Sequence, residues 1–468
     1  MARRMWIAWA LLASACVPQP AVETDASTAA DAGGLPADSG MITMRDAGGG
    51  QPDAGAADAT PSSDAGAIAD AMPAPDAMAA DGGALSCGAD AEPSATGATH
   101  TIAPGQTLAS ALSAAQPGDR VLVHGGSYGA ESLGQSFASD VFIEAAPAEV
   151  PIFHGLSLDS AAHLVFRGLH FDATVTLQAA HDIVFDGIDL DVGTADTSGL
   201  EVFNSHGPTH DLRVVGSRIA GGARTIFMGG RFGTDPTWNH HLVFERNELI
   251  CGSHNCFQLS GARDMRIEDN DFHDPRGTAV LTAGATRIQI LRNRMRGGGL
   301  QAAAIQLATP GMEWDNYAGV EFMLSTAIVV ANNLIVDWDG PGIELDAVDG
   351  VQIVYNTVVG ATGLHTWRRT PHDQQNNVII TGNNNVSLWN NILPSINLDP
   401  GDPHPMLESN NLIGQPSWVD QVDYAPGPGP AIDQAIVNSD TPLVDRRGRT
   451  RGPRPDHGAF EVGAPGCP

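Results

Sequence analysis

Residues 342–373 gather side chains suited to acid–base work and to recognition. Gly342-Ile-Glu-Leu-Asp346 supplies two carboxylates, Glu344 and Asp346. Leu364-His-Thr-Trp367 and the Arg-Arg-Thr-Pro-His-Asp373 that follows add His365, Trp367, Arg368, Arg369 and His372. Two carboxyls in different environments can share general acid and base roles. An imidazole beside them transfers protons near neutrality. An aromatic face stacks on a sugar ring, and guanidinium groups pair with carboxylates or sulfates. Glu344, Asp346, His365 and His372 are therefore the catalytic candidates, and Trp367, Arg368, Arg369 and Gln306 the substrate-binding candidates. Outward carboxylates on strands are also often just solvated, and a Trp-Arg-Arg loop often packs on itself. Ca²⁺ on Glu344 and Asp346 is the open cofactor alternative; no metal set is assigned.

The elements that must position these groups follow from a recurring phrase. An apolar residue, two variable residues, Asn, one variable residue and another apolar residue occur at Phe244–Leu249, Ile267–Phe272, Ile290–Met295, Val330–Ile335, Ile353–Val358 and Leu388–Leu393. Asn247, Asn270 and Asn293 are 23 residues apart, as are Asn333 and Asn356, with longer gaps of 40 before Asn333 and 35 before Asn391. A fixed period with insertions marks a solenoid, and about 23 residues suits one turn of a parallel β-helix better than a helical repeat. The flanking runs alternate apolar and polar residues with β-branched enrichment, as in His181–Leu190. Asn and Gly tolerate the left-handed backbone of a tight corner, and Gly168, Gly187, Ser217 and Asn411 mark further corners. The expectation is an all-β, single-stranded right-handed parallel β-helix of about ten coils, with the asparagines stacked structurally along its axis.

The strand before each corner strand is read as Gly199–Phe203, Cys256–Ser260, Ala304–Leu307, Gly342–Asp346 and Leu364–Trp367. Alternation points Glu201, Gln258, Gln306, Glu344, Asp346, His365 and Trp367 outward. It sets Glu344 beside His365, and Asp346 beside Trp367, on adjacent coils about 5 Å apart. Trp314 and Tyr317, in the longer 293–333 interval, are placed to wall the same cleft.

Composition bounds the rest. The chain has 468 residues, net charge −30, 54 acidic residues and 24 basic ones that are all arginine. That balance argues against nucleic acid and anionic lipid surfaces as partners. A basic start, an apolar Ile7–Ala15 and Leu12-Ala-Ser-Ala-Cys16 read as a lipoprotein leader, 1–16, with lipidation at Cys16; simple secretion is the alternative. Residues 17–86 hold no aromatic residue and recur as Asp-Ala-Gly at 31, 46, 53 and 64. Such a segment cannot bury enough apolar surface to fold and reads as a disordered tether. Residues 87–468 are kept as one β-helix domain. The protein is expected to be exported, lipid-anchored to the outer membrane or cell surface, and monomeric. Cys87 with Cys467 and Cys251 with Cys256 are disulfide candidates. Free thiols, or zinc on Cys251, His254 and Cys256, are the alternatives at the second pair.

Ala115-Gln-Pro-Gly-Asp-Arg-Val-Leu-Val-His-Gly-Gly-Ser-Tyr128, Val141–Pro147, Pro151–Gly155 and His163–Phe171 resemble the opening coils of secreted bacterial right-handed β-helix proteins. The closing 444–461 segment is similar to theirs as well. Among enzymes the opening is similar to polysaccharide lyases of the chondroitinase B and alginate lyase type, with a pectin lyase-like fold. That resemblance implies a Lys base near Ser260-Gly261 and an Arg near Thr282-Ala283, and neither position is basic here. The expected function is binding or processing of a polysaccharide, with uronate-containing chains first in line. If enzymatic, it is a lyase or a glycoside hydrolase. A non-catalytic adhesin or structural surface protein is the alternative.

Overall fold

The apolar residues of each recurrence point inward and stack on those of the next, which winds the chain into a right-handed parallel β-helix. The computed structural model describes residues 94–462 other than 195–196, 230–237, 299–301, 312–323, 373–375, 377, 403–405, 423 and 439–440. The 1–16 leader, the 17–86 tether, Cys16, Cys87, Cys467, Trp314, Tyr317 and Asp373 lie outside the described residues.

Each rung has three faces. On the first lie Ser198–Phe203, Arg224–Met228, Ile305–Ala308, Ile343–Asp346 and Leu364–Trp367; on the second lie Ala162–Arg167, His181–Asp186, His210–Val215, Asn239–Glu245, Thr326–Ala331 and Asp349–Val354. Phe257–Glu268 and Val280–Leu291 run through both faces without a break, which merges them into one 22-stranded sheet. Among the described residues the third face is a separate 12-stranded sheet of two- and three-residue strands. The pairings between rungs are parallel, and in register apart from a shift between Ser136 and Val141 where Ser136–Ala145 meets Ala162–Arg167. Twelve third-face strands exceed the ten coils counted from corner residues. The two extra rungs, at Gly126–Tyr128 and Pro151–Phe153, open the helix without Asn at their corners.

The core is a stack of like on like. Phe257, Leu259, Met265, Ile267 and Phe272 fill one rung and Val280, Ile288, Ile290 and Met295 the next, all buried. Tyr128, Phe153 and Phe171 follow one another with ring centroids 4.8 and 5.7 Å apart. Each such side chain contributes about 1.5–3 kcal/mol by leaving water. An open stack would expose its first layer. A short helix, Leu108–Leu112, covers it with Leu108 and Leu112, and Glu131 accepts a hydrogen bond from the Leu108 amide.

The asparagines line up in one column between the second and third faces. The backbone N–H and Nδ2 of Asn270 both donate to Oδ1 of Asn293 at 3.0 Å, and Nδ2 also donates to the Phe244 carbonyl at 3.0 Å. The pattern repeats through Asn247, Asn333, Asn356, Asn391 and Asn411. Ser217 joins it by accepting from the Ile188 amide and donating its own to Asn247. Buried amides thus satisfy one another along the axis.

One expectation is corrected. The left-handed residue of this corner is not the asparagine but its predecessor: Arg246, Asp269, Arg292, Asn332, Tyr355 and Asn390, with φ between 54° and 57°. Gly168 and Gly187 occupy that preceding position, so they align with Arg246 and not with Asn247. The side chains of these left-handed residues point out of the barrel. In the later rungs they hold the C-terminal tail: Asn332 Nδ2 donates to the Val444 carbonyl, Tyr355 Oη and Asn390 Nδ2 to Ile436, and Asn410 Nδ2 to Gln434. Arg451 is buried, lies 4.0 Å from the Tyr355 ring centre, and donates to Asn332 Oδ1 and the Gly458 carbonyl.

Candidate functional site

The strand register brings the candidate carboxylates and their neighbours together. Gln306 pairs with Glu344 and Glu344 with His365; Asp346 pairs with Trp367. Inward Ile343, Leu345 and Leu364 anchor the strands in the core, so the intervening residues must face out. Gln306 Nε2 donates to Glu344 Oε1 at 2.8 Å. Burial pushes the Glu344 carboxyl up, opposed by a hydrogen bond from Trp367 and, more weakly, by His365, Gln306 and Arg369. The His365 and Trp367 rings are 4.5 Å apart at 49°, and Trp367 stays 43% exposed.

Asp346 departs from the expectation of a solvated outward carboxylate. It is buried, and Arg369 Nε lies 3.0 Å from its Oδ1. The Arg369 guanidinium also donates to the Thr309 carbonyl at 3.1 Å. The loop after Trp367 therefore folds back over its own face and covers Asp346. A Ca²⁺ shared by Glu344 and Asp346 does not fit this arrangement, because a cation already occupies the Asp346 oxygen. Gln258 is likewise buried, receiving Arg224 Nε at 2.7 Å.

Arg368 remains exposed at the rim, its backbone N–H donating to Asp399 Oδ2 at 3.3 Å. The Asp399 carboxyl sits below its usual range, held by the Gly401 amide and then by the Arg368 amide. His372 lies in the loop beyond Arg369. It forms an isolated antiparallel bridge with Val378. Asn383 and Asp402 support the site from behind: Asn383 Nδ2 donates to the Trp367 carbonyl at 3.1 Å and to Asp402 Oδ2 at 2.8 Å. Sequence reasoning missed Asp399, Asn383 and Asp402, which lie in irregular segments that no periodicity registers.

At the positions where the lyase resemblance implies a basic pair, Ser260 faces Ala283 across adjacent strands. Cys251 and Cys256 are joined by a disulfide, which removes the thiolates a zinc site with His254 requires. A shallow cleft lies away from all of these residues, lined by Asn411, Pro430, Gln434 and His457.

Residues 233–396 match the family described as right handed beta helix region. No curated protein matches the chain. Similar solved structures include pectate lyase Pel9A at 12% identity, covering 79% of this chain and 97% of that one with a TM-score of 0.45. The PL6 family alginate lyase AlyGC is 15% identical over 67% of this chain and 47% of its own, with a TM-score of 0.44. The Streptococcus pneumoniae surface protein and adhesin PfbA is 9% identical over 63% and 89%, with a TM-score of 0.45. These likenesses assign no residue a role.

Proposed function

We propose that the chain is an exported, lipid-anchored surface protein whose first face binds an acidic polysaccharide at the rungs of Gln306, Glu344 and His365. The observation that carries this is the exposed Trp367, tilted against His365 and fixed by its hydrogen bond to Glu344, with Arg368 exposed next to it. A sugar ring lies on the indole, and a uronate carboxylate pairs with the guanidinium. Binding is favoured over processing because Asp346, the carboxylate two residues from Glu344 on the same strand, is committed to Arg369. The processing alternative rests on Glu344 itself: a carboxyl pushed up by burial suits a general acid. The Cys16 anchor and the outer-membrane location rest on the Leu12–Cys16 phrase.

The test is a panel of uronate-containing and neutral polysaccharides offered to the full chain. Binding to an acidic polymer should weaken about tenfold or more in Trp367→Ala, the loss of roughly 1.4 kcal/mol of stacking. New reducing ends or unsaturated products would establish processing. If no polymer binds or is altered, the carbohydrate reading fails and a structural or adhesive role for the regular rungs takes its place.

A further inference from the structure

The corner between the first and second faces carries a ridge of imidazoles and carboxylates that neither the fold nor the carbohydrate face uses. His181, His210 and His240 occupy one position on successive rungs and pair directly in register. Their rings stack at 4.9 and 5.0 Å, within 5° of parallel. The next position along the chain, which is left-handed, holds His163, Asp182, Asp211, His241 and Asp264, with φ between 51° and 56°. His and Asp are enriched in left-handed backbone, so that conformation accounts for the second column. It does not account for the three histidines of the first, which have ordinary strand backbone.

We propose that this ridge binds divalent transition-metal ions of the Zn²⁺ or Cu²⁺ type, with His163, His181 and Asp182 as one ligand set and His240, His241 and Asp211 as a second. In the first set, His181 Nδ1 lies 2.8 Å and His163 Nε2 3.8 Å from the same oxygen, Asp182 Oδ2. One ligand atom from each residue falls within 4.8 Å of the others. Atoms bound to one ion at about 2.0–2.2 Å lie within roughly 4.2 Å of each other, so small side-chain rotations close the site. Asp140 Oδ1, 3.8 Å from the other nitrogen of His163, stands where a carboxylate orients a ligand imidazole. In the second set, His240 Nδ1 and His241 Nδ1 face each other at 3.0 Å, and Asp211 Oδ1 is 3.6 Å from the latter. Two nitrogens held this close match adjacent positions on a four- to six-coordinate ion. Imidazole with carboxylate selects Zn²⁺, Cu²⁺ or Ni²⁺ over Mg²⁺ and Ca²⁺. Because the ligands come from consecutive rungs, a bound ion staples one coil to the next.

The experiment is calorimetric titration of the metal-stripped full chain with ZnCl₂, paired with electron paramagnetic resonance after CuSO₄. Two ions per chain are expected, with nitrogen couplings in the copper spectrum. His163→Ala with His181→Ala should remove one ion, and His240→Ala with His241→Ala the other. Circular dichroism should stay unchanged, because these side chains are half-buried or exposed. Absence of binding would overturn the proposal. So would undiminished stoichiometry in the first double variant, or displacement of Zn²⁺ by equimolar Ca²⁺.

Discussion

The two corners of each rung solve the same backbone problem with opposite chemistry. Both turn through a left-handed residue, rung after rung. At the corner between the second and third faces the following residue is, from Asn247 onward, an asparagine bonded to its copies above and below. At the corner between the first and second faces the stacked residues are histidines and aspartates open to solvent. A buried corner has to satisfy every polar group internally, so it holds Asn bonded to Asn from Asn247 onward, and Ser217 or the apolar Leu169 and Ile188 before that. The exposed corner has water as an alternative partner, so its side chains carry ionisable groups without folding depending on them.

That contrast is easiest to break at the ladder. Asn293→Ala removes the acceptor of the Asn270 amides and the donor to the Ile267 carbonyl. Leaving these groups unpaired should cost roughly 3–5 kcal/mol, read as a lower midpoint in denaturant titration. An unchanged midpoint would mean the ladder is ornamental. Glu344 lies between the extremes, half-buried and hydrogen-bonded. Its folded-state pKa lies above the ordinary carboxylate value, so the folded chain binds the proton more tightly than the unfolded chain. The penalty is absent at low pH and grows as pH rises from about 4.5 toward the raised value. Glu344→Gln should therefore flatten the fall in melting temperature between pH 4 and pH 7 and leave the acid end unaltered. The smallest effect belongs to the exposed corner. His181→Ala, with metal removed, should shift stability by no more than about 0.5 kcal/mol. A loss comparable to that of Asn293→Ala would erase the distinction between the corners.

What was legible in the sequence follows the same division. The ladder asparagines announce themselves because each bonds to the next, which repeats Asn from Asn247 onward, and counting from them gives the Glu344–His365 and Asp346–Trp367 neighbours. The left-handed column one residue earlier was not legible, since it accepts Arg, Asp, Asn, Tyr and Gly alike. The burial of Asp346 was hidden too, because Arg369 reaches it from a loop of the next rung, and loops have no period. The imidazole ridge did leave a trace: His163, His181, His210 and His240 each stand just before an apolar run. Only the stacking of the last three, with His163 edge-on to His181, turns that recurrence into a candidate site.

The C-terminal tail has a consequence for how the protein is made. Asn332 waits for Arg451, 119 residues downstream, and Tyr355 and Asn390 wait for Ile436. Those partners lie downstream of every coil they fasten. The early coils can wind without them, whereas the later ones stay unfastened until residues 436–451 are in place, and a chain cut short before residue 436 loses its clasp.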